Sequence, residues 1–295
     1  MLNKKFKKGL TVAAIAVPVI IIAVIVACII SSNSVCRLSR ADIDDNGAVT
    51  LISHRGLNKL APENTLEAAA KSAEYGYTPV EFDIRRTKDG VWVLMHDSGI
   101  KRMTDGEGEV NELTYKQIIS HRIDTGKNLD DALNGVVTVP TLEQMLRLCA
   151  ENGLTPVIEI KEGGTEHIPE LLSFIAARRN SDITIITFNR EQIELIHTLI
   201  STGRTTFMTD SIELYWLTSD LDEATLETAA KTPGIGVSFN GNKAGTQKEI
   251  DAFTEKGIKL ACWTVDSPSR LEKFYKRGIT TFTTNRIIYN LTEED

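Results

Sequence analysis

Cysteine is scarce in this chain. Four occur in 295 residues (Cys28, Cys36, Cys149 and Cys262), and none stands in a CxxC pair or at a cysteine/histidine spacing that suits zinc. Zinc-finger and dithiol redox chemistry are therefore excluded. Cys149 and Cys262, far apart in apolar stretches, read as buried free thiols. Positive charge is also short, at 33 Lys and Arg against 40 Asp and Glu. Residues 1–40 hold six of the basic side chains and no acidic ones, so the remainder carries 27 against 40 and a formal charge of −13. Such a surface repels nucleic acid. Two suggestive motifs are also incomplete. The glycine-rich "DGEGEV" of residues 105–110 does not join a strand to a helix as a phosphate loop does. "DIDDNG", residues 42–47, begins like an EF-hand, but the twelfth position is Ser53 rather than Glu and a strand starts near Thr50, which favours a turn.

Charge is absent altogether from residues 10–30, "LTVAAIAVPVIIIAVIVACII". At about 1.5 Å per residue, a helix of that length spans a hydrocarbon layer of roughly 30 Å. Lys4, Lys5, Lys7 and Lys8 precede it, and basic flanks stay on the cytoplasmic side. The expected order is a cytoplasmic tail (1–9), a transmembrane anchor (10–30), a polar linker (31–47) and an extracellular domain on a single-pass cell-membrane protein of bacterial type. Two other readings export the domain equally. A cleaved signal peptide would have an apolar region of about 7–15 residues, shorter than this one. "IVAC", residues 25–28, resembles a lipobox, although apolar Ile29 and Ile30 directly after Cys28 count against lipidation.

Beyond the linker, short apolar runs alternate with helical patterns. Strand candidates fall at 50–55, 80–85, 91–96, 156–161, 183–188, 205–210, 234–239, 259–265 and 280–284, with amphipathic segments such as "PTLEQMLRLCAENG" and "NREQIELIHTLIS" between most of them. This order predicts an α/β fold with a parallel sheet. Nine strands are one too many for a (β/α)8 TIM barrel. The "TKDG" link between the second and third is too short for a parallel crossover, so residues 80–96 are expected to form an antiparallel hairpin. Eight barrel strands remain, and residues 48–291 match the roughly 250 of such a barrel, whose active site lies at the C-terminal strand ends. With two, three or four residues in the hairpin loop, His96 faces Asp83, Phe82 or Glu81.

The hairpin carries the first chemical signal. Glu81 and Asp83 alternate with Val80, Phe82 and Ile84, so both carboxylates face one side of a strand that is otherwise apolar. Burying two carboxylates requires a cation, a proton or hydrogen-bond donors. Glu159 in "IEIK" adds a third on the next barrel strand, with Lys161 facing the same way. An oxygen-only set of this kind suits a hard divalent cation, Ca²⁺ or Mg²⁺. The alternative is that Asp83 and Glu159 merely pair with Lys161 and with Arg85 or Arg86. His54 ends the first strand in "SHRG", and His96 returns to the level of the carboxylates. His197, on a helical pattern, and His121 and His167, in polar stretches, read as solvated.

Together "SHRGLNKLAPENTLEAA", "VEFDIRRTKDGVWVLMHD", "GEGEVNELT", "VPTLEQML", "IEIK" and "LACWTVD" resemble the glycerophosphodiester phosphodiesterase family, in order, across residues 50–285. The resemblance implies a TIM barrel with a hairpin and small insertion (97–139) after its second strand. It makes His54 and His96 the general acid and base, and Glu81, Asp83 and Glu159 the holders of one Ca²⁺ or Mg²⁺. The implied reaction releases an alcohol and glycerol 3-phosphate from a small-molecule glycerophosphodiester. Its chemistry gives Arg55 a planar fork for a phosphate oxygen and Lys161 a point charge. Trp263 either walls the glycerol pocket or packs in the core, and Glu63 of "PENT" either serves the site or anchors its loop. Family members commonly end the barrel with TD-x-P, whereas this chain reads "TTNRI", with Asn285 and Arg286. Rival expectations are phospholipase C-like or D-like cleavage of membrane lipids or lysolipids, a glycosidase using paired carboxylates, and a non-catalytic binding protein.

Overall fold

The structure, a computed structural model, describes residues 35–38, 49–126, 136–178, 182–205 and 212–289. The candidate tail, the anchor at 10–30, the "DIDDNG" turn and most of the linker lie outside the described residues. Among the described residues, no helix is long and apolar enough to cross a membrane.

Eleven strands are described: β1 (Cys36–Leu38), β2 (Thr50–Ser53), β3 (Pro79–Arg86), β4 (Trp92–Leu94), β5 (Thr155–Ile160), β6 (Ile183–Thr187), β7 (Ile212–Thr218), β8 (Gly236–Asn240), β9 (Leu260–Trp263), β10 (Thr281–Thr284) and β11 (Ile287–Tyr289). Eight pair in parallel in the order β2-β10-β9-β8-β7-β6-β5-β3, and a β2–β3 pairing closes the ring. This is the expected (β/α)8 barrel, in which closure leaves no unpaired edge. β4 is the antiparallel excursion, with Ile84 opposite Leu94 and Arg86 opposite Trp92. The Thr87 N–H donates to the Val91 carbonyl at 2.9 Å, so Lys88, Asp89 and Gly90 make a three-residue loop. Of the three registers considered, that is the one in which His96 comes level with Phe82.

Two strand assignments differ from the sequence reading. The barrel strand expected at 205–210 is β7, several residues later, and residues 206–211 lie outside the described set. Tyr215 and Leu217 of β7 pack inside the barrel while Leu214 joins the outer core, so the alternation runs through a segment that polar Glu213 disguises. Within the expected linker, Cys36–Leu38 forms β1 and pairs in parallel with β11.

Helices cover the outside of the barrel, and most begin at side-chain caps. Thr141 and Thr246 each form a reciprocal capping box, with Gln144 and Glu249 respectively. Strand alternation then divides the core in two. On β3, Val80, Phe82 and Ile84 are fully buried in the layer under the helices. Burying a side chain such as Phe82 contributes about 2–3 kcal/mol. Ile52, Val157, Ile186, Tyr215, Leu217 and Ala261 fill the barrel interior. The insertion has its own small core, including Val93, Met95, Ile100, Met103 and Ile118. On β3, the same alternation forces Glu81 and Asp83 onto the inner face.

Candidate active site

The ends of seven barrel strands and the segment after β4 contribute to one site at the C-terminal mouth of the barrel. β2 ends at Ser53, and the chain then turns through two left-handed residues, Arg55 (φ 57°) and Gly56 (φ 72°). The turn at Gly56 lies so close to the helix Leu66–Glu74 that a Cβ there would sit 2.6 Å from Ala68 Cβ, so only glycine fits. A left-handed non-glycine backbone costs about 1–3 kcal/mol. At Arg55 it aims the backbone N–H at Glu81 Oε2, 2.7 Å away. Burial of Glu81 and hydrogen bonding hold this geometry in place.

The three acids arrive from β3 and β5, where Asp83 and Glu159 are register partners. Glu81, Asp83 and Glu159 are all buried, and one carboxylate oxygen from each lies within 4.8 Å of the others. Lys161 Nζ sits 2.5 Å from Glu159 Oε1 and 3.2 Å from Asp83 Oδ1. Arg55 Nε is 3.3 Å from Asp83 Oδ2, which also accepts from Asn64 Nδ2 at 2.8 Å. The alternative pairing is thus realised for Lys161 but not for Arg85 or Arg86. Arg85 donates to the His96 carbonyl at 2.9 Å and Arg86 reaches Glu170.

Two cations do not neutralise three acids. Burial opposes ionisation of Asp83, but Lys161 and Arg55 outweigh it and hold the carboxyl below its ordinary value. The other two acids bear the deficit. Burial, then repulsion from Asp83, pushes Glu159 up to about 7. Burial, then Asp83 and Glu159, raises Glu81 well above the usual carboxylate range. Glu81 Oε1 is buried with no hydrogen-bond partner among the described residues. A buried, acceptor-only atom beside two crowded carboxylates fits a divalent cation with oxygen ligands.

The imidazoles flank this cluster. His54 Nε2 lies 4.0 Å from Glu81 Oε2, and its Nδ1 is 2.8 Å from Asn285 Oδ1. His96 Nδ1 is 2.7 Å from Asp97 Oδ1. Burial lowers the proton affinity of both rings, at His54 with help from Arg55. Asp97 is in turn clamped by Arg102, whose Nε is 2.5 Å from Asp97 Oδ2 and whose Nη2 is 2.6 Å from Glu63 Oε1. Glu63 also accepts from Arg55 Nη1 at 2.9 Å, so it anchors the loop and orients a site arginine at once.

His54, Arg55, Glu81, His96, Glu159, Lys161 and Trp263 line one open cavity of about 330 Å³, and fully buried Asp83 contacts two of them, Arg55 and Lys161. The wall opposite the charged groups is apolar, made by Ile186, Phe188, Leu217 and Trp263. Trp263 donates to the Ser238 carbonyl at 3.0 Å and meets the half-exposed Phe188 ring edge to face at 5.6 Å. It is therefore both packed and a wall of the pocket. Sequence reasoning missed Phe188, Asn64, Asp97, Arg102 and Asp266. Asp97 adjoins His96 and Asn64 lies inside "PENT", so these two had a local signal. Arg102 lies five residues from Asp97 but 39 from Glu63, and Asp266 lies 19 from Asn285, so neither the Glu63 contact nor the Asp266 contact had a local signal.

Residues 54–288 match the model of the glycerophosphoryl diester phosphodiesterase family. A glycerophosphodiester phosphodiesterase from Caldanaerobacter subterraneus subsp. tengcongensis is 27% identical over 236 residues, covering 78% of this chain and 90% of that protein. Mouse glycerophosphodiester phosphodiesterase 1 is 38% identical over 120 residues, which is 38% of this chain and only about a third (34%) of the mouse protein. Among solved structures, a phosphodiesterase from Oleispira antarctica in complex with sn-glycerol-3-phosphate superposes with a TM-score of 0.69 at 20% identity, covering 80% of this chain and 92% of that one.

Proposed function

Since the chain belongs to the glycerophosphoryl diester phosphodiesterase family, we propose that it hydrolyses glycerophosphodiesters to an alcohol and glycerol 3-phosphate. The observation that carries this reading is the convergence of three buried carboxylates and two imidazoles on one cavity at the barrel mouth. Glu81, Asp83 and Glu159 hold one Ca²⁺ or Mg²⁺, which when bound stabilises negative charge growing on the phosphoryl oxygens.

The chain's own groups do the rest. Arg55, fixed by Glu63 and Asp83, presents its guanidinium to a phosphate oxygen, and Lys161 adds a point charge beside it. One of His54 and His96 takes a proton from the attacking oxygen and the other gives one to the departing alcohol. Lowered proton affinity at both rings keeps a neutral imidazole available near pH 7. Phe188 and Trp263 form the side of the cavity that excludes water from the organic part of the substrate. The uncharged run at 10–30 and the four lysines before it support a single-pass anchor with the barrel outside the cell membrane.

The test is turnover by the full-length chain in detergent on a panel of glycerophosphodiesters, with chelator and with Ca²⁺ or Mg²⁺ restored. Release of glycerol 3-phosphate, abolished by chelator and recovered with the ion, is expected. Release of diacylglycerol, a cyclic phosphate or a lysolipid head group instead would move the substrate class to membrane lipids. Activity that survives the chelator would overturn the metal-dependent reading.

A further inference from the structure

The hydrogen bonds behind His54 admit one arrangement of protons. Asn285 Oδ1 lies 2.8 Å from His54 Nδ1 and accepts from Asn58 Nδ2 at 2.7 Å. Asn58 Nδ2 also donates to the His54 carbonyl at 2.7 Å, which fixes the orientation of that amide. On the far side, Asp266 accepts from Asn285 Nδ2 at 2.8 Å, from the Asn285 N–H at 2.7 Å and from the Thr284 hydroxyl at 3.2 Å. An ionised carboxylate only accepts, so Asn285 must turn its NH₂ to Asp266 and its carbonyl oxygen to His54. That oxygen also only accepts, so the proton of neutral His54 sits on Nδ1. Nε2 is left bare, and it is the ring nitrogen that faces Glu81.

We propose that Asn285, locked by Asp266 and Asn58, is a positioning residue that fixes the ring and tautomer of His54, making Nε2 the atom that exchanges protons in the reaction. The inference rests on the phosphodiesterase reading above and extends it to groups outside the cavity lining. The acceptor on His54 is thereby a neutral amide oxygen, and the carboxylate of Asp266 lies one hydrogen bond further back. His96 differs, because its Nδ1 partner is the Asp97 carboxylate itself.

The donor and acceptor pattern predicts which substitutions are compatible. Asn285→Asp alone brings two carboxylates within hydrogen-bond distance of each other. Asp266→Asn alone removes the acceptor-only partner and lets the 285 amide turn over. The double swap Asp266→Asn/Asn285→Asp restores every bond, with the amide at 266 donating to the carboxylate at 285. In the full-length protein, kcat is expected to fall about 10–100-fold in Asn285→Ala and in each single swap. KM should change little, and the double swap should recover most of the loss. Independently of any substrate, ¹⁵N spectra of histidine-labelled protein at pH 8 should show the Nδ1–H tautomer at His54, lost in Asn285→Ala. An Nε2–H tautomer in the unmodified protein, or a double swap no better than its worse single, would overturn the inference. Failure of the unmodified protein to turn over any glycerophosphodiester refutes the functional reading instead, and the tautomer spectrum still decides the role of Asn285.

Discussion

Glu159→Gln should make the metal-free protein more stable at pH 8, although it removes a side chain that is ion-paired to Lys161. Glutamine mimics the protonated acid, so the relevant magnitude is the free energy of ionising Glu159 in its folded setting. Its proton affinity rises from the ordinary 4.5 to about 7, first through burial and then through Asp83, with Lys161 already counted against the rise. A folded-state value above the unfolded one gives stability that is fully present below pH 4.5 and lost as the pH climbs through about 7. The gap corresponds to about 3 kcal/mol, undiscounted because the side chain is only 8% exposed. For a domain of this size that is about 5–10 °C in Tm. The assay is thermal or urea unfolding of the full-length chain in chelator, at pH 5 and at pH 8. The variant should exceed the unmodified protein by only about 1 kcal/mol at pH 5, and by about 3 kcal/mol at pH 8. Adding Ca²⁺ or Mg²⁺ should then stabilise the unmodified protein more than the variant. A variant less stable than its parent at pH 8 in chelator would show that Lys161 and Arg55 satisfy the acids, leaving a structural ion-pair cluster rather than a metal site.

His54→Ala and His96→Ala should each lower kcat by about 10²–10⁴-fold while leaving ion binding intact, since neither ring is among the proposed ligands. Loss of ion binding in either variant would instead place that histidine in the ligand set. Burial pushes the Cys149 and Cys262 thiols up to about 12, so in a Cys28→Ser/Cys36→Ser background the native protein should not react with a disulfide reagent at pH 8, while the urea-unfolded chain should release two equivalents. Rapid labelling of the native protein would contradict the full burial of both thiols.

The chemistry was legible where it depends on spacing along one strand or hairpin. Glu81 and Asp83 share a face because they are two apart on β3, and the short "TKDG" link forced His96 back beside them. The barrel count followed from the same link. Legibility ended where partners are set by tertiary packing. Nothing near Arg102 indicates that it reaches Glu63, and nothing near Asp266 indicates that it orients Asn285. β7 was displaced for a local reason, since "TTFMTD" offers more β-branched and aromatic residues in a row than "IELYWLT", whose exposed Glu213 breaks the apolar run. β1 is three residues long and exists through its pairing with β11, at the other end of the chain.

Calorimetric titration of the metal-stripped full-length chain with CaCl₂ and MgCl₂ tests the central claim most directly. Saturable binding of one ion per chain is predicted, weakened or lost in Glu81→Gln and Asp83→Asn. No saturable binding of either ion, or binding that both variants leave unchanged, would contradict it.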